Sequence, residues 1–439
     1  MRMFKKSVLV TCCISLVGLV GCSSNSIKLE NNSVSTAQSF DQSQRIFIAE
    51  KPYNIESLPA ANTIKVIDYR MPNVLDKSVQ TSALVFFPKT AKPKGGYKIV
   101  VWQHGTLGVS NYCAPTENKL NNRFKDPLAN SLLQAGYVIV APDYEGLGGE
   151  GIHPYLHMDS EAKSSVYAVK AVQEKYASLV SKDWATVGQS QGGQASLATA
   201  EYIARHPDPH YKGAVAAAPA SNLDKIIFDI APQALASAEK KEKAAGLSID
   251  QRETGSIHAL ATLLSYASFY GIGIQAVNPD FDYLDVFSDQ RVKDLAKLSA
   301  GTNGQDGLCL ESNNINKPEK SVRYHFIQDI KKFLKDNPEK SITDYPTLDR
   351  ERFYGNEDFE KAVEASNPGS VKIEVPLMII QGTEDMAVPY YVTEKIKNEY
   401  LRLGTNVTFV PVKGASHSEA IVQKNAELVS FIQAQMPAE

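Results

Sequence analysis

The segment Gly188-Gln189-Ser190-Gln191-Gly192, followed by Gly193, lies between a strand-like run, Trp184-Ala185-Thr186-Val187, and a helix-like run carrying Ala195, Leu197, Ala198, Tyr202 and Ile203. A G-x-S-x-G pattern alone is loose. Placed between a strand and a helix it is restrictive, because the chain must reverse within a few residues and leave the serine hydroxyl at the top of a sheet. Glycines suit this turn because it is strained and because the helix must pass close to the strand.

The surrounding pattern extends that constraint. Residues 82–87, 97–102, 137–141 and 185–187 have strand character, and helical spacing separates them over 126–136 and 166–176. After the serine turn come a small-residue strand at 213–219, core strands at 375–380 and 407–412, and a terminal helix through Ile421, Leu428, Val429 and Ile432. Strands alternating with helices predict a mostly parallel sheet flanked by helices. Between 222 and 370 the alternation stops and the chain reads as helical. An insertion at that point lies over the C-terminal edge of the sheet, where ligands bind in open α/β folds. Its apolar run at 259–277 is interrupted by Ser265, Tyr266, Ser268, Tyr270 and glycines, and reads as a buried cap helix rather than a membrane span. The charged run 239–243 reads as a solvated helix face.

The N-terminus carries an address. Arg2, Lys5 and Lys6 precede a short apolar stretch that ends in Leu19-Val20-Gly21-Cys22. The stretch is short for a transmembrane helix and has the form of an export signal. The small residue before Cys22 matches a lipobox, so Cys22 is expected to become the lipid-bearing N-terminus, with more than one acyl chain for stable anchoring. Ser23 at the next position favours the outer membrane. The expected divisions are a leader at 1–21, a Ser/Asn/Gln-rich tether at 22–45, a core at 46–221, a cap at 222–370 and the rest of the core at 371–439. Of five cysteines, Cys12 and Cys13 leave with the leader and Cys22 carries lipid, so Cys113 and Cys309 remain. In an exported, oxidising setting they are candidates for one disulfide, with two separate buried thiols as the alternative. Neither sits in a metal-binding spacing, so no metal is expected. The formal net charge of −3 becomes more negative once the leader is removed, and without a basic stripe the chain is a poor nucleic-acid binder.

A serine hydroxyl is a weak nucleophile and needs an adjacent base, itself held in one tautomer by an acid. In the α/β-hydrolase order the acid and then the histidine follow the serine, each on a loop after a strand. Gln381-Gly382-Thr383-Glu384-Asp385 follows one such strand and Gly414-Ala415-Ser416-His417 the next. Of the histidines after Ser190, His206 and His210 lie near the end of the serine-bearing helix and His258 and His325 in the cap, so His417 is the expected base. Asp385 is the expected acid, ahead of Glu384. The oxyanion hole needs two backbone N–H groups, one from Gln191 and one from the loop after 97–102, where Thr106 is favoured over Leu107. The carboxylates of Asp143 and Glu145 are read as loop-ordering groups, with shaping of the pocket rim as the alternative.

Gln103-His104-Gly105-Thr106, the run 141–146 through Asp143 and Glu145, the Ser190 turn and the Asp385 and His417 loops together resemble the secretory lipase family, whose familiar members are fungal lipases of the A type with bacterial relatives. The resemblance runs from about residue 83 to the C-terminus and is weakest in the cap. It implies the α/β-hydrolase fold with a large helical cap before the acid-bearing strand, the triad Ser190, Asp385 and His417, and cleavage of carboxylic esters, with lipophilic esters or acylglycerols held under the cap. No cofactor is expected. A peptidase or amidase of the same fold, or a non-catalytic lipid-binding lipoprotein, are the rival readings.

Overall fold

The structure is a computed structural model describing residues 38–120, 124–312 and 316–439. The leader, Cys22 and the tether up to residue 37 lie outside the described residues. Within them the strands β1 (Phe47–Pro52), β2 (Ala61–Pro72), β3 (Ser78–Pro88), β4 (Tyr97–Gln103), β5 (Val138–Pro142), β6 (Val180–Gln189), β7 (Tyr211–Ala217), β8 (Leu377–Gly382) and β9 (Val407–Val412) form one sheet in the order β1-β2-β3-β5-β4-β6-β7-β8-β9. From β5 to β9 every neighbouring pair is parallel, whereas β1, β2 and β3 join antiparallel at one edge.

The central strands are covered on both faces, which is why they read as continuous apolar runs rather than alternating ones. The helices Met158–Lys175 and Gln191–Arg205 pack on one face, where Leu197 of the second helix shares a core with Val101, Trp184 and Ile379 of the sheet. The terminal helix Asn425–Gln435 packs on the other, where Val187, Ile380, Leu428 and Ile432 share a core. The sequence reading names no strand before residue 82, so β1 and β2 are additions. β1 is mostly exposed, and β2 carries Lys65, Asp68 and Arg70, so neither presents the apolar run that marks a doubly covered strand. The helix expected at 126–136 is shortened: a π-type turn, Phe124–Ala129, runs into the short helix Asn130–Gln134, and Pro127 has no N–H to donate to a regular helix.

Between β7 and β8 the chain forms helices around an apolar cluster that also takes in Ile152, Tyr155 and Leu156 from the loop after β5. The apolar run is the helix Ser256–Ile274, which is long and apolar enough to cross a membrane but has 83% of its apolar window buried within the protein. It packs against Ala231–Ala244, Gln290–Ala300 and Val322–Asp336. Local capping sets where cap helices begin: Asp289 accepts the Arg291 N–H and Ser321 accepts the Tyr324 N–H.

Candidate active site

Ser190 sits on the turn between β6 and the helix Gln191–Arg205, with φ 63° and ψ −122°. That region is unfavourable for a residue with a side chain and persists only when its surroundings fix it. They do so here. The Ser190 N–H donates to the Ala217 carbonyl at 2.9 Å, and the Ser190 carbonyl accepts from Gln194 and Ala220. A Cβ on Gly188 would lie 2.0 Å from the Gly192 carbonyl oxygen, and one on Gly192 would lie 1.8 Å from the Gln103 carbonyl oxygen. The glycines flanking the serine are therefore required by close backbone approach.

Asp385 follows β8, and His417 follows β9. The His417 Nδ1 donates to Asp385 Oδ2 at 2.7 Å. Asp385 is buried, and its Oδ1 accepts the backbone N–H groups of Ala387 and Val388 at 2.9 and 2.8 Å. Gln381 Nε2 adds a third donor, to Oδ2, at 3.0 Å. These contacts fix the carboxylate and hold the imidazole with Nε2 as its acceptor. Gln189, next to the serine, donates from Nε2 to the His417 carbonyl at 3.0 Å, tying the serine turn to the histidine loop. Glu384 is exposed, and it is Asp385 that meets the histidine. Elsewhere, His206 bonds the Tyr202 carbonyl, His210 pairs with Asp183, and His325 bonds the Glu319 carbonyl.

Ser190, His417 and Thr106 line one cavity of about 990 Å³ between the sheet and the cap. Gly105 lies against the serine: a Cβ there would be 3.5 Å from Ser190 Cβ. On the core side Leu84, Trp102, Leu120 and Phe124 form an apolar stretch of the wall, with Asn118 and Lys119 among the polar residues there. On the cap side it runs from Leu263 and Tyr266 to polar groups that include His258 and Arg323. Cys113 and Cys309 are joined by a disulfide and also line the cavity, so a covalent link ties the loop after β4 to the cap. The Leu310 N–H donates to the Leu107 carbonyl at 2.8 Å beside it.

Asp143 and Glu145 are buried and bind loops together. Asp143 accepts from Ser82 Oγ and from the backbone and hydroxyl of Thr116, and Glu145 accepts from the Val74 N–H and Ser160 Oγ. Burial pushes each carboxyl up to about 7. A second buried group went unread in the sequence. The Gln191 side chain reaches Glu161 at 2.8 Å and His153 at 3.1 Å, and Thr106 Oγ1 lies 2.7 Å from the Tyr155 hydroxyl. These partners are spread over 153–161 with no recognisable motif, and only folding gathers them.

The serine turn, the parallel sheet, the acid and histidine loops and the helical insertion make this the α/β-hydrolase fold. Within that fold, the model of the secretory lipase family matches residues 120–248, which include the Ser190 turn. No curated protein sequence matches the chain. Similar solved structures include a candidate hydrolase from Legionella pneumophila (18% identity, 90% of this chain and 99% of that one, TM-score 0.61). They also include the rice cell wall degrading esterase LipA from Xanthomonas oryzae (17%, 89% and 96%, TM-score 0.59). Candida antarctica lipase A in its closed state is similar as well (17%, 94% and 85%, TM-score 0.61).

Proposed function

We propose that this chain is a serine hydrolase of carboxylic esters, with Ser190 as nucleophile, His417 as general base and Asp385 as the acid that orients it. The observation that carries the reading is the Asp385–His417 pair at 2.7 Å, with His417 lining the same cavity as a serine held at φ 63° and Gln189, the residue before that serine, bonded to the His417 carbonyl. Ser190 Oγ attacks the ester carbonyl while His417 Nε2 takes its proton. The tetrahedral oxyanion is met by the backbone N–H groups of Gln191 and Thr106. Collapse expels the alcohol, which takes the proton back from His417, and water activated by the same imidazole then releases the acid. The Gln191 N–H suits its part because the first N–H groups of a helix have no partner within the helix.

The substrate is a lipophilic ester. The apolar stretch of Leu84, Trp102, Leu120 and Phe124 in the cavity wall suits an acyl chain. The match to secretory lipases over 120–248 and the likeness in fold to an esterase and a lipase support this class. The mature protein is exported and held to the cell envelope through lipid on Cys22, with the core at 46–221 and 371–439 around the cap at 222–370.

Hydrolysis of p-nitrophenyl esters from acetyl to palmitoyl, wild type beside Ser190→Ala, tests the reading. The expected result is turnover that persists at long chains and falls by roughly 10⁶-fold in the variant. Ester turnover that survives in Ser190→Ala would reject it. Turnover of aminoacyl anilides without ester cleavage would point to a peptidase.

A further inference from the structure

The loop 152–157, between β5 and the helix Met158–Lys175, contacts both residues proposed to supply the oxyanion hole. Tyr155, buried at 4% exposure, places its hydroxyl 2.7 Å from Thr106 Oγ1. His153 is fully buried and reaches Gln191. Its Nδ1 donates to the Glu145 carbonyl at 2.8 Å, so Nε2 is left as the acceptor for one Gln191 amide hydrogen. Burial holds the imidazole neutral, well below its ordinary range, at about 3. The other Gln191 amide hydrogen goes to Glu161 Oε1 at 2.8 Å. A side-chain amide is suited to this place because its NH₂ supplies two donors to two acceptors.

A separate observation concerns the backbone. Leu156 is buried at 3% exposure with φ 63°, a conformation that a bulky side chain rarely adopts. Its carbonyl accepts from Gln194 Nε2 at 2.8 Å, one turn along the serine-bearing helix. The cap presses on the same loop: a Cβ on Gly273 would lie 2.7 Å from the Tyr155 nitrogen, and Phe269 packs edge-on against the Tyr155 ring at 6.0 Å. Strain of this kind persists where surrounding contacts enforce it, and it collects at functional sites.

We infer that the segment 152–157 is a positioning strap that sets both halves of the oxyanion hole, Tyr155 acting through Thr106 and His153 through Gln191. Neither side chain is asked to touch substrate. Each holds the residue whose backbone N–H does. This rests on the reading of Ser190 as the nucleophile. The strap is braced by the cap, so the pocket that receives the substrate and the groups that stabilise its transition state share one mechanical support.

The test uses the whole mature protein as wild type, Tyr155→Phe, Thr106→Val and the double variant. Each is assayed for p-nitrophenyl butyrate turnover and for inactivation by a p-nitrophenyl alkylphosphonate. In that reaction the Ser190 Oγ–P bond forms, p-nitrophenolate leaves and the serine proton passes to His417. Removing one oxyanion donor outright costs about 10²–10³ in kcat, so mispositioning one is expected to cost about tenfold, with KM within about twofold and a matching slowing of phosphonylation. Thr106→Val keeps the backbone N–H, so it should lose as much as Tyr155→Phe, and the double variant no more than either. If Tyr155→Phe does not fold, Thr106→Val and Gln191→Met carry the same expectation. Single variants within twofold of wild type, or losses that multiply in the double variant, overturn the strap while leaving the nucleophile assignment intact. A wild type that is not phosphonylated on Ser190 overturns both.

Discussion

Glu161 shows how one residue carries a measurable signature of this site. It is fully buried, faces Gln191 and the Leu156 N–H, and lies near the Tyr144 and Tyr155 phenols. Burial pushes its carboxyl from 4.5 up to about 8. The folded state therefore keeps a proton that the unfolded chain loses, and stability falls as pH rises through the interval between those values. Asp143 and Glu145, each raised to about 7, act in the same direction. Glu161→Gln retains an acceptor for the Gln191 amide and removes the titration. It should reduce the drop in unfolding midpoint between about pH 5 and pH 8 by about 2 °C. A drop identical to wild type, followed by circular dichroism, would remove Glu161 from this account.

At the scale of elements, the decisive contacts are between backbones. The serine-bearing helix approaches β4 so closely that a Cβ on Gly192 would overlap the Gln103 carbonyl. Gly192→Ala should cost about 3 kcal/mol or more, since the Gln103 carbonyl is backbone and cannot swing aside; a denaturation midpoint equal to wild type would contradict this packing. The disulfide is the second element-level device. Cys113 and Cys309 are 196 residues apart, and their bond fastens the loop after β4 to the cap, beside the hydrogen bonds from Ser110 to Gln305 and from Leu310 to Leu107. Replacing both cysteines by serine should cost about 2–5 kcal/mol. Urea unfolding of that variant beside wild type, with and without reductant, checks this: reductant should lower the wild-type midpoint toward the variant's and leave the variant unmoved.

For the whole molecule, the cap and the core meet across the cavity, and the cap's apolar cluster reaches into the core through Val109, Ile152, Tyr155 and Leu156. The helix Ser256–Ile274 shows why composition alone misleads: its apolar surface serves a protein interior, although its length would span a bilayer. Membrane attachment is expected to depend on the N-terminus instead. Cys22→Ala should move the exported protein from the membrane to the soluble fraction, and unchanged fractionation would dismiss the anchor.

The division between sequence and structure follows from the range of the forces. Features fixed by neighbouring residues were legible: the Gly-flanked serine turn, the strands covered on both faces, the order of serine, acid and histidine, and the buried apolar helix of the cap all leave short-range patterns. Strand β2 did not, because one covered face and a charged edge dilute the apolar signal. Asp385 could be preferred to Glu384 from its turn, but only the tertiary structure brings its carboxylate to 2.7 Å from an imidazole 32 positions away. The group of Glu161, His153, Tyr155, Gln191 and Thr106 had no sequence signature at all. Its members are polar residues that would be unremarkable on a surface, and their meaning comes from burial, where each donor must find an acceptor. The sequence by itself determined the fold class and singled out the candidate residues of the site. The tertiary structure decided which polar groups are removed from water together, and so which of them can hold the candidate site in shape.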